Sequence, residues 1–312
     1  MSMSRFLAGP VTVSVPATSA NLGPGFDALG LALARRDHLE AEVVDDAPGA
    51  PSITVNGEGA DQVPTDESHL VHRAMAEAFA LMGRPVPTVR LHCRNVIPHR
   101  RGLGSSSAAI VSGICAARAL VAGGSLLMDD AAVFELAARL EGHGDNVAPA
   151  LYGGFTIAYD TPGDRYRCRA VTVAVDPRVT TVVLVPPEGV ETKVARALLP
   201  GSVSHADAAL NAGRAALLVA ALTRQPELLL DATEDRLHQH YRESAMPDTV
   251  ALVDRFRKEG LAAVISGAGP AVLVFTDAAG QDQVADQSPP GWQALNLAID
   301  PRGAVVTLPR EG

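Results

Sequence analysis

The segment Pro98-His-Arg-Arg-Gly-Leu-Gly-Ser-Ser-Ser-Ala108 decides how this chain reads. Two glycines and three serines lead into Ser106 to Ala122, a proline-free run rich in Ala, Ile and Val. That run predicts a buried helix, and no large side chain occupies its first turn. The first N–H groups of a helix lack intrahelical partners and sit at its positive end. Here they form a phosphate cradle. Gly102 and Gly104 let the main chain approach a phosphate closely. Ser105, Ser106 and Ser107 offer hydroxyls to phosphate oxygens or to a cation. The segment is not a Walker A loop, because no G-x-x-x-x-G-K-[ST] occurs. Nor is it G-x-G-x-x-G, since Ser107 stands where the third glycine belongs. The plain alternative is a glycine-rich turn with a serine cap.

Two further segments carry polar groups on tight turns. In Pro16-Ala-Thr-Ser-Ala-Asn-Leu-Gly-Pro-Gly-Phe-Asp27, Asn21 and Asp27 bracket a turn forced by Gly23, Pro24 and Gly25. They are placed to hold a small polar ligand, or to serve as ordinary turn residues. Ser266-Gly-Ala-Gly-Pro270 lies between two apolar strands and reads as a hairpin turn or a close-packing loop.

Outward from these segments, Val11, Val13 and Val15 alternate with polar residues as in a strand. Residues 38–44, 52–59, 88–98, 172–186, 261–275 and 304–308 also read as strand-bearing. Helical spacing falls at 68–81, 129–140, 191–199, 206–223, 226–241 and 247–259. Strands come in pairs more often than in βαβ alternation, so the pattern is α+β rather than a doubly wound sheet. Pro, Gly and charge cluster at 159–167, the expected linker. The length of 312 residues predicts two domains.

Net charge is −9, with 35 acidic and 26 basic residues. This argues against a chain built mainly to coat nucleic acid and disfavours a polybasic membrane-surface protein, while leaving room for a local basic pocket for a small anion. Lys193 and Lys258 are the two lysines, so arginine, backbone N–H and metal must handle any phosphate. Cys93, Cys115 and Cys168 are isolated, with no C-x-x-C. The most apolar stretch, 261–275, is broken by Gly267, Gly269 and Pro270. A reducing, cytoplasmic location is expected, with no membrane span.

Taken together and in this order, the three segments resemble those of the GHMP superfamily of small-molecule kinases. Within it, 16–33, Glu141-Gly-His-Gly-Asp-Asn-Val147, Tyr152-Gly-Gly, Thr192 with Arg196, and 237–242 resemble the homoserine kinase branch. The resemblance spans nearly the whole chain. It implies a two-domain α+β fold. Residues 1–165 would form the nucleotide-binding domain, and residues 166–312 a ferredoxin-like domain completing the cleft. It implies ATP and Mg²⁺ as cofactors, L-homoserine as the small-molecule partner, phosphoryl transfer to its hydroxyl, and a homodimer.

By position, Pro98 to Ala108 would bind ATP: His99, Arg100 and Arg101 precede Gly102 to Ser107, which wrap the triphosphate around Leu103. Ser106 would bind the metal, with either Glu141, beside the HGDN loop, or Glu135, which has helix spacing. Asn21, Asp27 and Asn146 would surround the amino acid, with Asp27 toward its ammonium. Arg196 and Arg242 would hold its carboxylate, and Thr192 would edge the pocket. Asp145 is either a general base or a bystander to base-free transfer.

Two departures stand out. Gly144 replaces the proline usual in HPDN, and His69 replaces an asparagine usual near the adenine. His143 reads as a loop-shaping partner, and His238 and His240 as solvated side chains. Another acceptor within the superfamily and a catalytically idle nucleotide binder are the rival readings.

Overall fold

The computed structural model describes residues 5–161 and 164–309. Strand β1 (Val11–Ala20) confirms the alternation, with Val11, Val13 and Val15 buried and Thr12 and Ser14 half-buried. It pairs antiparallel with β2 (Leu29–Asp45), a 17-residue strand that acts as the spine of the first sheet. The later half of β2 pairs with β4 (Thr88–Asn95), and its first residues pair with β5 (Phe155–Thr161). β3 (Ser52–Gly57) adds parallel to β4, and β6 (Asp164–Val173) antiparallel to β5.

The second sheet has the order β10-β7-β9-β8. Its strands are β7 (Thr180–Val185), β8 (Ala262–Ile265), β9 (Val272–Thr276) and β10 (Gln293–Leu297). All its pairings are antiparallel. The order fourth-first-third-second is that of a ferredoxin-like βαββαβ unit. The chain then returns, and β11 (Val305–Thr307) pairs with the outer edge of β1. Around this return, Ala34 N–H donates to Ala298 O, Asp300 N–H to Ala32 O and Ala304 N–H to Leu151 O. Arg36 grips Asp300 at 2.6 Å.

The first part carries α1 (Leu70–Leu81), α2 (Ser105–Leu120), α3 (Gly124–Leu127), α4 (Asp130–Glu141) and α5 (Val147–Tyr152). α2 is buried on most of its circumference, packed between β1, α1 and α4. A helix apolar all round belongs in a core. Asp129 caps α4 by accepting the Ala132 N–H at 2.8 Å, and Gly142, with φ +92°, ends it. The second part carries α6 (Thr192–Ala197), α7 (His205–Thr223), α8 (Leu229–Ala232), α9 (Pro247–Lys258) and α10 (Gln281–Ala285).

Two expectations are corrected. The helix expected over 226–241 is broken into a 3₁₀ turn (Pro226–Leu228), α8, an irregular stretch and a second 3₁₀ segment (His240–Ala245). Thr233 Oγ1 bonds back to Leu229 O, and the Asp235 carboxylate accepts the N–H groups of Leu237, His238 and Gln239. Side-chain bonding to the backbone here replaces the helical ladder. The linker expected over 159–167 instead belongs to the β5–β6 hairpin, paired from Phe155↔Val173 to Thr161↔Asp164. Pro162 and Gly163 lie outside the described residues. A composition that suits a linker also suits a hairpin end. The chain passes between the sheets over 174–179 instead. Strand β10 and helix α10 were not expected, because weakly periodic sequence hides short elements.

Candidate active site

The three motif segments are knotted together at one place. Thr18 N–H donates to Leu103 O at 3.0 Å, Gly267 N–H to Ala20 O at 3.0 Å, and Ala271 N–H to Arg101 O at 3.2 Å. Ser266 Oγ donates to Gly102 O at 2.7 Å and lies 2.9 Å from Ser19 Oγ. The contact leaves no room for side chains. A Cβ on Gly102 would meet Ser266 O at 2.1 Å, and one on Gly104 would meet Thr18 Oγ1 at 1.9 Å. Both glycines also hold positive φ, +76° and +68°. The third segment thus braces the phosphate loop.

Gly104 starts α2, so the N–H groups that follow open into a polar cavity of about 140 Å³. An apolar cavity of about 250 Å³ adjoins it, lined by Val63, Leu70 and Val71 among others. Arg100, Ser105 and Ser106 line both, so the two form one elongated cleft across the helix start. His99 and Ala108 face the apolar cavity, as does His69, whose Nδ1 is buried without a hydrogen-bond partner among the described residues. Gly102, Leu103 and Gly104 face the polar one. Pro98 and Ser107 are buried in the loop's support and line neither. Arg101 is directed away from both cavities: its guanidinium donates to the carbonyls of His99, Pro186 and Pro187, tying the loop to the end of β7.

Glu141, at the end of α4, accepts from Ser106 Oγ at 2.5 Å and from Ser107 Oγ at 3.0 Å, and it lines the polar cavity. Glu135 lies almost two turns earlier on α4, half-buried, and lines neither cavity. Among the described residues no group of three or more His, Cys, Asp or Glu is placed to hold a metal ion. The Ser106 hydroxyl and the Glu141 carboxylate are hard oxygen donors beside the cradle. Such a pair fits Mg²⁺, which keeps waters and phosphate oxygens and needs few protein ligands.

The HGDN loop follows. Asp145 is buried; its Oδ1 meets His143 Nδ1 at 2.6 Å and accepts the Asn146 N–H at 2.9 Å. Burial pulls His143 toward neutrality, but the hydrogen bond and charge of Asp145, with Glu141, outweigh it and raise its pKa. Asn146 Oδ1 accepts from Thr18 Oγ1 at 2.7 Å. Gly144 is pressed against β6, and a Cβ there would lie 2.6 Å from Cys168 Sγ and 3.1 Å from Ala158 Cβ. In this chain Cys168 occupies the room a larger residue at 144 would need. On the opposite flank, Asp37 Oδ1 accepts the N–H groups of Val96 and Ile97, and burial lifts its carboxyl to about 6.

Asn21 holds φ +67°; its Nδ2 donates to Gly267 O at 2.8 Å and its Oδ1 accepts the Asp27 N–H at 2.9 Å. Asp27, with φ +55°, points its carboxylate at Arg196 on α6. Thr192 and Arg196 line the polar cavity from the second part of the chain. Arg242 enters it from below, 1% exposed, and burial beside Arg196 lowers its guanidinium to about 10, still charged at neutral pH.

Sequence reasoning missed one neighbour. His238, expected in solvent, is fully buried: Nε2 lies 2.8 Å from Gly23 O and Nδ1 3.0 Å from Arg242 Nη1. Phe26 stacks on its ring at 5.3 Å and lies under both Arg196 and Arg242. No spacing rule marks such a residue, because its helix is broken. His240 is solvent-exposed.

A glycine–serine cradle at a buried helix start, closed by a ferredoxin-like layer, defines a small-molecule kinase of the GHMP class. The GHMP kinases N terminal domain matches residues 69–154, and the GHMP kinases C terminal domain matches residues 208–288. Within that class the chain belongs to the homoserine kinase family. It is 53% identical to the homoserine kinase of Streptomyces avermitilis, over 98% of each chain. It is also 53% identical to that of Clavibacter michiganensis subsp. michiganensis, over 97% of this chain and 95% of the other. Its fold superposes on the crystal structure of homoserine kinase from Cytophaga hutchinsonii with a TM-score of 0.81, at 23% identity over 98% of this chain and 99% of that one.

Proposed function

We infer that this chain transfers the γ-phosphoryl group of ATP to the hydroxyl of L-homoserine, giving O-phospho-L-homoserine, the precursor of threonine. One structural observation carries the reading beyond family membership. The phosphate cradle opens directly onto a pocket lined by Arg196 and Arg242, and Asp27, at the neighbouring cavity, reaches it through its ion pair with Arg196. An amino-acid zwitterion suits that combination, because Asp27 and Arg196 already pair with each other and Arg242 forms no ion pair with a carboxylate among the described residues, so an uncharged acceptor would leave the Arg242 charge unmatched.

In this reading the base and ribose lie along the apolar cavity, and the N–H groups after Gly104 receive the phosphates. The acceptor oxygen attacks the γ-phosphorus, the bond to the β–γ bridging oxygen breaks, and ADP leaves. Ser106 and Glu141 would hold Mg²⁺, which neutralises charge on the β- and γ-phosphates when bound. Residues 1–165 hold the nucleotide. Residues 166–312 close the cleft over the acceptor, with the strands at 164–173 and 305–307 lending themselves to the first sheet.

Asp145 stands beside His143 and Asn146, with one oxygen already shared between them. Either it takes the acceptor's proton, or it shapes the loop and the proton leaves with the phosphate. A positioned base raises rate by about 10²–10⁴-fold. Asp145→Asn separates the two: a loss of kcat below about tenfold assigns Asp145 to shaping.

Among the described residues no helix is long and apolar enough to cross a membrane. The reading extends to a homodimer in a reducing cytoplasm, where the free thiols of Cys93, Cys115 and Cys168 would persist. A sedimentation mass of one chain would remove the dimer.

The test is an ADP-release assay with ATP and Mg²⁺, offering L-homoserine, L-threonine, L-serine, mevalonate or no acceptor. Turnover with L-homoserine and a phosphorylated amino acid by mass are expected. Turnover only with another acceptor would overturn the substrate.

A further inference from the structure

We propose that His238 is a positioning residue for the carboxylate grip of Arg242, acting as a neutral acceptor that turns the guanidinium's free edge toward the substrate. The proposal rests on the homoserine reading, in which Arg242 holds the amino acid's carboxylate.

Hydrogen-bond bookkeeping sets the tautomer. Gly23 O only accepts, so Nε2, 2.8 Å away, carries the proton. Arg242 Nη1 only donates, so Nδ1, 3.0 Å away, offers its lone pair. The second hydrogen of Nη1 points to Gly267 O at 3.1 Å. Neither contact uses Nε or Nη2. Nε is buried without a hydrogen-bond partner among the described residues. The Nε–Nη2 edge of a guanidinium accepts a carboxylate in two parallel hydrogen bonds. His238 and Gly267 thus hold one corner so that the opposite edge serves the ligand.

The charges around the ring are Asp235, Arg242 and Asp27. Asp235 lies 3.8 Å from Nε2, too far for a hydrogen bond, and its oxygens are engaged by the backbone N–H groups of 237–239. Protonating Nδ1 would set an N–H against the Arg242 N–H. Burial works the same way and lowers the His238 pKa.

The experiment compares the full-length wild type with His238→Leu and His238→Asn. Two ligands are used: L-homoserine, and 3-aminopropan-1-ol, which is L-homoserine without its carboxylate. His238→Leu is expected to raise KM for L-homoserine about 10–100-fold, the value of a lost hydrogen bond to a charged group. Its kcat and its KM for ATP should hold within about threefold, and so should the inhibition constant of 3-aminopropan-1-ol. His238→Asn keeps an acceptor near the Nδ1 position and should hold KM for L-homoserine within about threefold.

Equal losses for both ligands, or Asn as damaging as Leu, would overturn the proposal by marking His238 as packing alone. An unchanged KM in His238→Leu would overturn it as well. Should the Leu variant not fold, ¹⁵N-histidine spectra of the wild type decide. A neutral ring protonated at Nε2 is expected, and an imidazolium or an Nδ1-protonated ring would refute it. A wild type inactive on L-homoserine would instead sink the substrate assignment, which the first assay reveals separately.

Discussion

Both terminal nitrogens of Arg196 rest on the carboxylate of Asp27, at 2.6 and 3.1 Å. The two residues assigned to opposite ends of the substrate thus neutralise each other. A zwitterion must exchange this one ion pair for two of its own. The pair is more than a third exposed on each side, so it contributes little to stability, about 0–1 kcal/mol. Asp27→Asn should therefore raise KM for L-homoserine by about tenfold or more while moving Tm by no more than a few degrees. Steady-state kinetics beside thermal melts check this. An unaltered KM would remove Asp27 from the ammonium site.

Glu141 and Glu135 are separated by one experiment. Glu141 accepts from two serines of the cradle, and Glu135 faces neither cavity. In an Mg²⁺ titration of ATP turnover, Glu141→Gln should need about tenfold more metal and lose about 10²-fold in kcat. Glu135→Gln should stay within about threefold of wild type on both. The reverse result would move the metal ligand to Glu135.

Asp37 predicts a pH-dependent gain. Its folded carboxyl is raised from the ordinary 3.8 to about 6, because partial burial strips water from the charged form. Protonation therefore favours the fold. That contribution is complete below about pH 3.8 and is lost as pH rises through about 6. Asp37→Asn keeps an Oδ1 for Val96 and Ile97 and never acquires the charge. Its unfolding free energy should match wild type near pH 4 and exceed it by about 1–2 kcal/mol at pH 8. Denaturant melts across that range test the sign.

Gly144 and Cys168 should behave as one unit. Gly144→Ala sets a methyl 2.6 Å from the Cys168 sulfur, an overpacking that costs about 1–3 kcal/mol. Cys168→Ala removes that sulfur, and the double variant should regain at least about half of the loss. Strict additivity in the double-mutant cycle would show that the loop, rather than the thiol, resists the methyl.

Much of this was legible because periodicity and glycine report local physics. The buried helix after Ser105 and the valines of β1 follow from pattern alone. The phosphate loop follows from Gly102, Gly104 and the serines. The bracing of that loop by Ser266 was not legible, because a contact across more than 160 positions leaves no local mark. His238 was hidden for a related reason. Its burial comes from Asp235 breaking a helix that the spacing continued, and Gly23 and Phe26 reach it from the other end of the chain. The arginines divide the same way: Arg101 sits in the motif yet serves carbonyls, and Arg242 lies far outside it yet lines the cleft.

The return of β11 to the edge of β1 sets an order of synthesis. Among the described strands a ribosome makes β1 first and its partner β11 after every strand of the second sheet. Until Val305 emerges, the outer edge of β1 is an open row of N–H and C=O groups, a template for pairing with other nascent chains. The cleft cannot close early either, because Ser266 must arrive before Gly102 is braced. The enzyme therefore braces its phosphate loop only after Ser266 is made and covers this edge of β1 only after Val305 follows. A chain stopped between the two would hold a braced loop beside an uncovered edge, so catalysis and resistance to aggregation are acquired separately.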